Sequence, residues 1–183
     1  MFKKKVGYIF FAVLTAVLLV ACGKEEEVPT VQKPEQELMF LLKYENYSEE
    51  EIHSASVIAT DGRIIKVPDN ILGEHGDMPE NWAEQLINLS ENDTSESTVP
   101  ENDLAVMYDF VNNTHITATP PVFKEYAGPV YDAGTYSLYL LNKNYTQQKL
   151  CVSGQTNEYI DDDKIIDFCN FMNDKNYFAM YIG

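Results

Sequence analysis

The chain has 183 residues, of which 45% are apolar and 12% aromatic. That composition can form a buried core and excludes wholesale disorder, and the length corresponds to one or at most two domains. The 29 acidic residues outnumber the 13 basic ones, so the net charge is −16. This charge argues against a nucleic-acid partner, because such binding depends on clustered Lys and Arg side chains.

The N-terminus combines a basic start with a short apolar run. Three lysines, Lys3 to Lys5, precede an uncharged apolar segment from Val6 to Val20. This segment is shorter than the roughly 20 residues that a helix needs to cross a bilayer. The pattern is typical of a secretory signal peptide.

The apolar run ends in Leu19-Val20-Ala21-Cys22. This tetrapeptide resembles the lipobox of bacterial lipoproteins. The resemblance covers only the first 22 residues. It implies that residues 1–21 are a signal peptide and that Cys22 receives a diacylglyceryl group. It also implies a bacterial protein that is lipid-anchored in the cell membrane and faces the extracytoplasmic side. The alternative is an uncleaved anchor that ends in a cysteine by coincidence.

Residues 22–37 carry charges and two prolines but no apolar period. We interpret them as an acidic tether, followed by a single domain over residues 38–183. Without residues 1–21, which hold three lysines and no acid, ten basic residues face 29 acidic ones, a net charge of −19. Anionic lipid repels such a body, so the attached lipid would have to provide the anchor.

The first part of the domain has the patterns of strands. The apolar run from Leu38 to Tyr44 predicts a buried strand. Two β-branched runs, 54–60 and 63–68, flank Asp61-Gly62. A strand, Asp-Gly and a second strand indicate a hairpin with a type I′ turn, in which both turn residues have positive φ.

Two helices are predicted next, with Asp77 and Thr98 as caps that each precede a Glu by three residues. They would extend to about residues 89 and 112, with a polar loop between them. Two further strands, 136–141 and 148–153, precede a final helix over 161–173. The three aspartates at its start suit the positive end of the helix dipole better than a calcium site.

These elements predict an α+β fold: one domain with a mostly antiparallel sheet of about five strands and about three helices. Residues 132–138 also resemble the Asp-x-Gly-x-Tyr-x-Cys stretch of immunoglobulin domains. However, Leu138 occupies the cysteine position. Three helices also do not belong in such a sandwich.

The densest group of titratable side chains is Glu74, His75 and Asp77. On a glycine-containing loop they could hold a cation or act as an acid–base group. The alternative assigns Asp77 to the helix cap alone. Common metal, nucleophile and phosphate-binding motifs are absent from the sequence, so we assign no catalytic residue, metal or cofactor.

Cys151 and Cys169 are the thiols that would stay free of lipid. A pair in an exported domain could form a disulfide. Alternatively, Cys169 lies on the apolar face of the last helix, where a free cysteine acts as a small hydrophobic residue.

Three tyrosines, Tyr126, Tyr131 and Tyr136, recur every five residues in and beside the loop from 125 to 134. Aromatic rings on a glycine-containing loop are good contact surfaces for sugars and proteins. The alternative is ordinary packing, because tyrosine also suits half-buried strands.

We therefore expect a lipid-anchored protein with a binding or scaffolding role at the cell surface. The negative charge favours a neutral glycan or a basic protein as its partner and disfavours nucleic acid. The alternative is an envelope hydrolase that uses Asp and Glu side chains. An apolar cleft with converging carboxylates would favour the hydrolase, and a flat tyrosine-lined patch would favour binding.

Overall fold

The computed structural model describes residues 31–46, 52–73, 75–89, 95–114, 123–125, 134–154 and 157–178. Residues Gln32–Gly183 form one compact unit. The strands are β1 Leu38–Asn46, β2 Ile52–Ala59, β3 Arg63–Lys66, β4 Ser95–Thr98, β5 Phe123–Glu125, β6 Thr135–Leu141, β7 Gln147–Gly154 and β8 Glu158–Ile160. The helices are α1 Asp69–Leu72, α2 Trp82–Ile87, α3 Glu101–Asn113 and α4 Asp163–Asp174.

The described strands form one antiparallel sheet in the order β4-β3-β2-β1-β6-β7-β8-β5. The α+β class and the antiparallel sheet are confirmed. The predicted counts of about five strands and three helices are wrong, since the described residues form eight strands and four helices. The missed strands β4, β5 and β8 have only four, three and three residues, too few for an apolar period. A single sheet is also not an immunoglobulin sandwich.

Strand β1 lies at the centre of the sheet, between β2 and β6. Its residues Leu38 to Leu41 are all buried. Phe40 and Leu41 belong to different apolar clusters on the two faces of the sheet. The continuous apolar run in the sequence thus reflects burial on both faces, as in other central strands.

Helices α3 and α4 cover one face of the sheet. Phe110 of α3 and Phe168 of α4 stack with ring centroids 3.8 Å apart, and Phe40 of β1 lies 5.0 Å from Phe168. The predicted apolar positions of the last helix, among them Phe168 and Met172, are buried in this cluster. We call this the α3/α4 face.

Helices α1 and α2 cover the opposite face. Ile71 of α1 and Trp82 and Leu86 of α2 pack in one cluster with Leu41 and Val57 of the sheet. Because both helices are short, sequence periodicity identified only part of this layer. Among the described residues, no helix is long and apolar enough to span a membrane.

The β2–β3 hairpin is confirmed, but its turn differs from the predicted type I′. Within the described residues, Gly62 has a φ of 90°, whereas Asp61 is not among the residues with positive φ. The register pairs Ile58 with Ile64, so the loop has a third residue, Thr60. The Asp61 carboxylate accepts hydrogen bonds from the Arg63 backbone N–H at 3.1 Å and its Nε at 2.7 Å.

The three aspartates predicted at the start of the last helix include its capping residue. Asp162 accepts hydrogen bonds from the backbone N–H groups of Lys164 and Ile165. The caps predicted at Asp77 and Thr98 are wrong, because α2 and α3 begin later, at Trp82 and Glu101. Pro100 directly precedes α3, and its extended ψ of 148° places it outside the helix, which therefore starts at Glu101.

The last residues of the predicted tether contact the domain. The Gln36 amide donates a hydrogen bond to the Leu141 carbonyl at 2.7 Å, and the Thr60 backbone N–H donates to the Glu37 carbonyl at 2.8 Å. The predicted signal peptide and the first part of the predicted tether lie outside the described residues.

Candidate functional site

A half-open cavity of about 380 Å³ lies on the α3/α4 face of the sheet. Its volume falls within the usual range of about 300–1,000 Å³ for ligand pockets. It is lined by residues of five strands and of the segment after α4. They are Leu42, Lys43, Tyr44, Ser54, Ala55, Ser56, Ile58, Ile64, Ser97, Tyr136, Asn176, Tyr177 and Phe178. We call this cavity the tyrosine–serine groove.

Strand register brings the polar lining residues to one face. Tyr44 of β1 pairs with Ser54 of β2 on one side and with Tyr136 of β6 on the other. Directly paired residues of antiparallel strands point to the same face, so these side chains form one row across the sheet. Ser56 lies two residues further along β2 and therefore also faces the groove.

The Tyr44 ring is held in place from several sides. Its centroid lies 4.6 Å from that of Tyr136, at an interplanar angle of 42°. The Asn46 amide donates a hydrogen bond to the Tyr44 hydroxyl at 3.3 Å. Gly134, at φ 70°, packs so closely that an added Cβ would lie 2.5 Å from the ring. Glycine at this position thus permits the ring to occupy its site.

Three serine hydroxyls line the groove. Ser54 and Ser56 are half-buried, whereas Ser97, opposite Ile64 in the register of β4 and β3, is exposed. Within the described part of the chain, none of the three has a side-chain hydrogen bond. A hydroxyl both donates and accepts, so these groups are available to polar atoms of a ligand.

The segment after α4, residues 175–178, forms one wall of the groove, and we call it the C-terminal strap. It begins with a Schellman motif, in which the Tyr177 N–H bonds to the Met172 carbonyl at 2.9 Å and Asn176 has a φ of 59°. The motif turns the chain back toward the sheet. Phe178 is buried there, with its ring at 90° to that of Tyr136.

One carboxylate on α3 holds the strap. Asp103 accepts a hydrogen bond from the Tyr177 hydroxyl at 2.9 Å and pairs with the Lys175 ammonium, also at 2.9 Å. The Lys175 hydrogen bond, helped by that from Tyr177, keeps the pKa of Asp103 below its ordinary value, although burial acts in the opposite sense. Burial and the bond to Asp103 raise the pKa of Tyr177 to about 12, so its hydroxyl stays a donor at neutral pH.

The groove presents no acidic side chain among its described lining residues. Its single basic lining residue, Lys43, directs its ammonium to the opposite face of the sheet, where it lies 5.8 Å from the centre of the Tyr139 ring. Burial lowers the pKa of Lys43, and the neighbouring carboxylates of Glu45 and Asp77 counteract this. The described groove is therefore aromatic, hydroxylated and uncharged.

The predicted tyrosine cluster is described in part. Tyr126 and Tyr131 lie outside the described residues. Tyr136 lies in strand β6, beside the predicted loop, and its half-buried ring lines the groove. Tyr44 and Tyr177, which sequence reasoning did not single out, line the same groove.

Two members of the candidate cation or acid–base group are described, and neither lines the groove. His75 and Asp77 are exposed, and Glu74 lies outside the described residues. Gly76 between them is buried, and an added Cβ would lie 3.2 Å from His53 Nδ1. Across the described ranges, no group of three or more His, Cys, Asp or Glu side chains could hold a metal ion.

Cys151 of β7 and Cys169 of α4 are buried free thiols in the same apolar cluster. A hydrogen bond between the two thiols and burial together raise the pKa of Cys151 well above its ordinary value. The Cys151 thiol therefore stays protonated, which suits the hydrophobic role, and the alternative of a disulfide stays a prediction. Cys22 lies outside the described residues.

The sequence contains one pattern that indicates the polar side of the groove. Ser54 and Ser56 alternate with the apolar Ala55 and Val57, so β2 has one hydroxyl face. Only pairing with β1 places this face beside the tyrosines.

No protein-family model, curated protein or solved structure matches this chain.

Proposed function

We propose that this chain is a lipid-anchored protein of the bacterial cell envelope whose domain binds an uncharged ligand in the tyrosine–serine groove. The observation that carries the proposal is the groove itself, about 380 Å³ of space lined by aromatic rings and serine hydroxyls. Ligand pockets typically combine apolar walls with a few convergent polar groups, as this groove does.

The groove supports binding better than the alternative of hydrolysis. Hydrolysis by carboxylates needs Asp or Glu side chains that converge on the bond to be cleaved. The described lining residues include none. A basic protein partner is also less suited to the groove, because its positive side chains would meet no carboxylate there.

The proposed location rests on the lipobox that ends at Cys22. An attached diacylglyceryl group would hold the domain at the extracytoplasmic side of the membrane. The net charge of −16 disfavours anionic polymers as ligands, because the protein as a whole repels them.

A retention experiment tests the groove as a binding site. The full chain, purified in detergent, would be mixed with delipidated envelope material and centrifuged. Ser56→Leu fills the groove with an apolar side chain and removes a hydroxyl. Thr135→Leu is the matched control, because Thr135 is also half-buried but points to the opposite face from its neighbour Tyr136.

We expect wild type and Thr135→Leu to sediment with the envelope material and Ser56→Leu to stay in the supernatant. Circular dichroism and a urea midpoint would verify that both variants fold. Sedimentation of folded Ser56→Leu at the wild-type level would show that the groove is not the binding site.

A further inference from the structure

We infer that the ligand of the tyrosine–serine groove is a neutral saccharide, with one sugar ring packed against the Tyr44–Tyr136 pair and its hydroxyls bonded to the serines of β2. The inference rests on the proposed function and specifies the chemical class of the ligand. Three features of the groove carry it: the two tyrosines, the spacing of the serines, and the uncharged walls.

The tyrosine pair provides the apolar part of the recognition. Tyr44 and Tyr136 lie side by side with ring centroids 4.6 Å apart. Gly134 packs against the Tyr44 ring and Phe178 contacts the Tyr136 ring edge-on, which limits their rotation. The C–H groups on one side of a sugar ring form an apolar patch, and aromatic rings fixed before binding offer a matching surface at little cost in entropy.

The serines provide the polar part. Ser54 and Ser56 are two residues apart on one strand, so their hydroxyls project in the same direction about 6–7 Å apart along the strand. Both are without a side-chain hydrogen bond within the described ranges. Sugar hydroxyls donate and accept, as serine hydroxyls do, whereas a lipid tail in the groove would leave these serines unpaired.

The electrostatics exclude charged members of the class. The described lining supplies no carboxylate for a cationic sugar. It also supplies no cation for a uronate or a sugar phosphate, since the Lys43 ammonium lies on the other face, near Tyr139. A net charge of −16 further weakens the binding of anions. An uncharged sugar needs no charged partner in the groove, and the net charge of the protein does not repel it.

Calorimetric titration of the full chain tests the inference. The detergent would be a polyoxyethylene type, because sugar-based detergents would compete for the site. The probes are neutral oligosaccharides of hexoses and of N-acetylhexosamines, together with uronic-acid oligosaccharides of equal length. We expect saturable binding of at least one neutral probe and binding of its uronate counterpart at least tenfold weaker.

Four variants locate the site. Ser56→Ala should weaken binding about fivefold, the usual effect of losing one neutral hydrogen bond. Ser56→Leu and Tyr136→Leu should each weaken it at least tenfold. Thr135→Leu on the opposite face should leave it unchanged. Urea midpoints would separate loss of binding from loss of folding, and Ser56→Ala keeps the test valid if Tyr136→Leu fails to fold.

The outcomes separate this inference from the proposed function. If no probe binds, or if uronates bind as tightly as neutral sugars, the saccharide inference is overturned. The proposed function would still stand if Ser56→Leu abolished retention on envelope material. Neutral sugar binding that Ser56→Leu leaves unchanged would place the sugar elsewhere and overturn the inference as well.

Discussion

Replacing Asp103 with asparagine should loosen the C-terminal strap and destabilise the domain by about 1–2 kcal/mol. The change turns the charge-assisted hydrogen bond from Tyr177 into a neutral one, a loss of about 1 kcal/mol. It also removes the ion pair with Lys175, whose side chain is 48% exposed. A pair exposed to this degree contributes at most about 1 kcal/mol.

Urea unfolding of Gln32–Gly183 at pH 7 measures this effect. With a slope of about 2 kcal/mol per molar urea, the midpoint should fall by about 0.5–1 M. Asp109→Asn is the matched control, because Asp109 is an exposed residue of the same helix, and its side-chain hydrogen bond among the described residues comes from Asn113 in the next turn. It should change the stability by no more than about 0.5 kcal/mol.

The difference in the free energy of unfolding between wild type and Asp103→Asn should depend on pH. The pKa of Asp103 is lowered in the folded state, chiefly by the Lys175 hydrogen bond. Its contribution is therefore complete above the unfolded-state pKa of about 3.9 and is lost as the pH falls through the lower folded value. A difference that stays constant from pH 7 to pH 3, or an equal loss in Asp109→Asn, would refute this account of the strap.

Three further predictions concern the anchor, the thiols and the groove wall. Cys22→Ala should block fatty-acid labelling and leave a full-length precursor on a gel, and normal cleavage with membrane retention would contradict the lipobox interpretation. Cys151 and Cys169 are buried. They should resist alkylation in the native protein but take up two labels after unfolding without reductant, whereas absence of label then would reveal a disulfide. Gly134→Ala combines a φ of 70° with an approach of 2.5 Å to Tyr44. The substitution should lower the free energy of unfolding by about 2–4 kcal/mol, as measured with urea. An unchanged urea midpoint would show that the Tyr44 ring moves aside freely.

The sequence by itself determined those elements whose signals are local. The long apolar run of β1 and the paired β-branched segments of β2 and β3 needed no distant contact to be identified. The apolar spacing of α4 and the aspartates at its start were likewise visible in the chain. The short strands β4, β5 and β8 were not, because three or four residues carry too little pattern and depend on pairing with a neighbour.

Only the tertiary structure decided where the candidate site lies. Tyr44, Ser54 and Tyr136 come from three strands, and the register of β1 with β2 and β6 puts them in one row. Which residues pair across strands depends on the packing of both sheet faces at once, and a shift by one residue would turn every side chain to the other face. The strap is a second case, since Tyr177 meets Asp103 across 74 positions of sequence. A local pattern can predict that β2 has a hydroxyl face, but long-range pairing decides that this face meets the tyrosines.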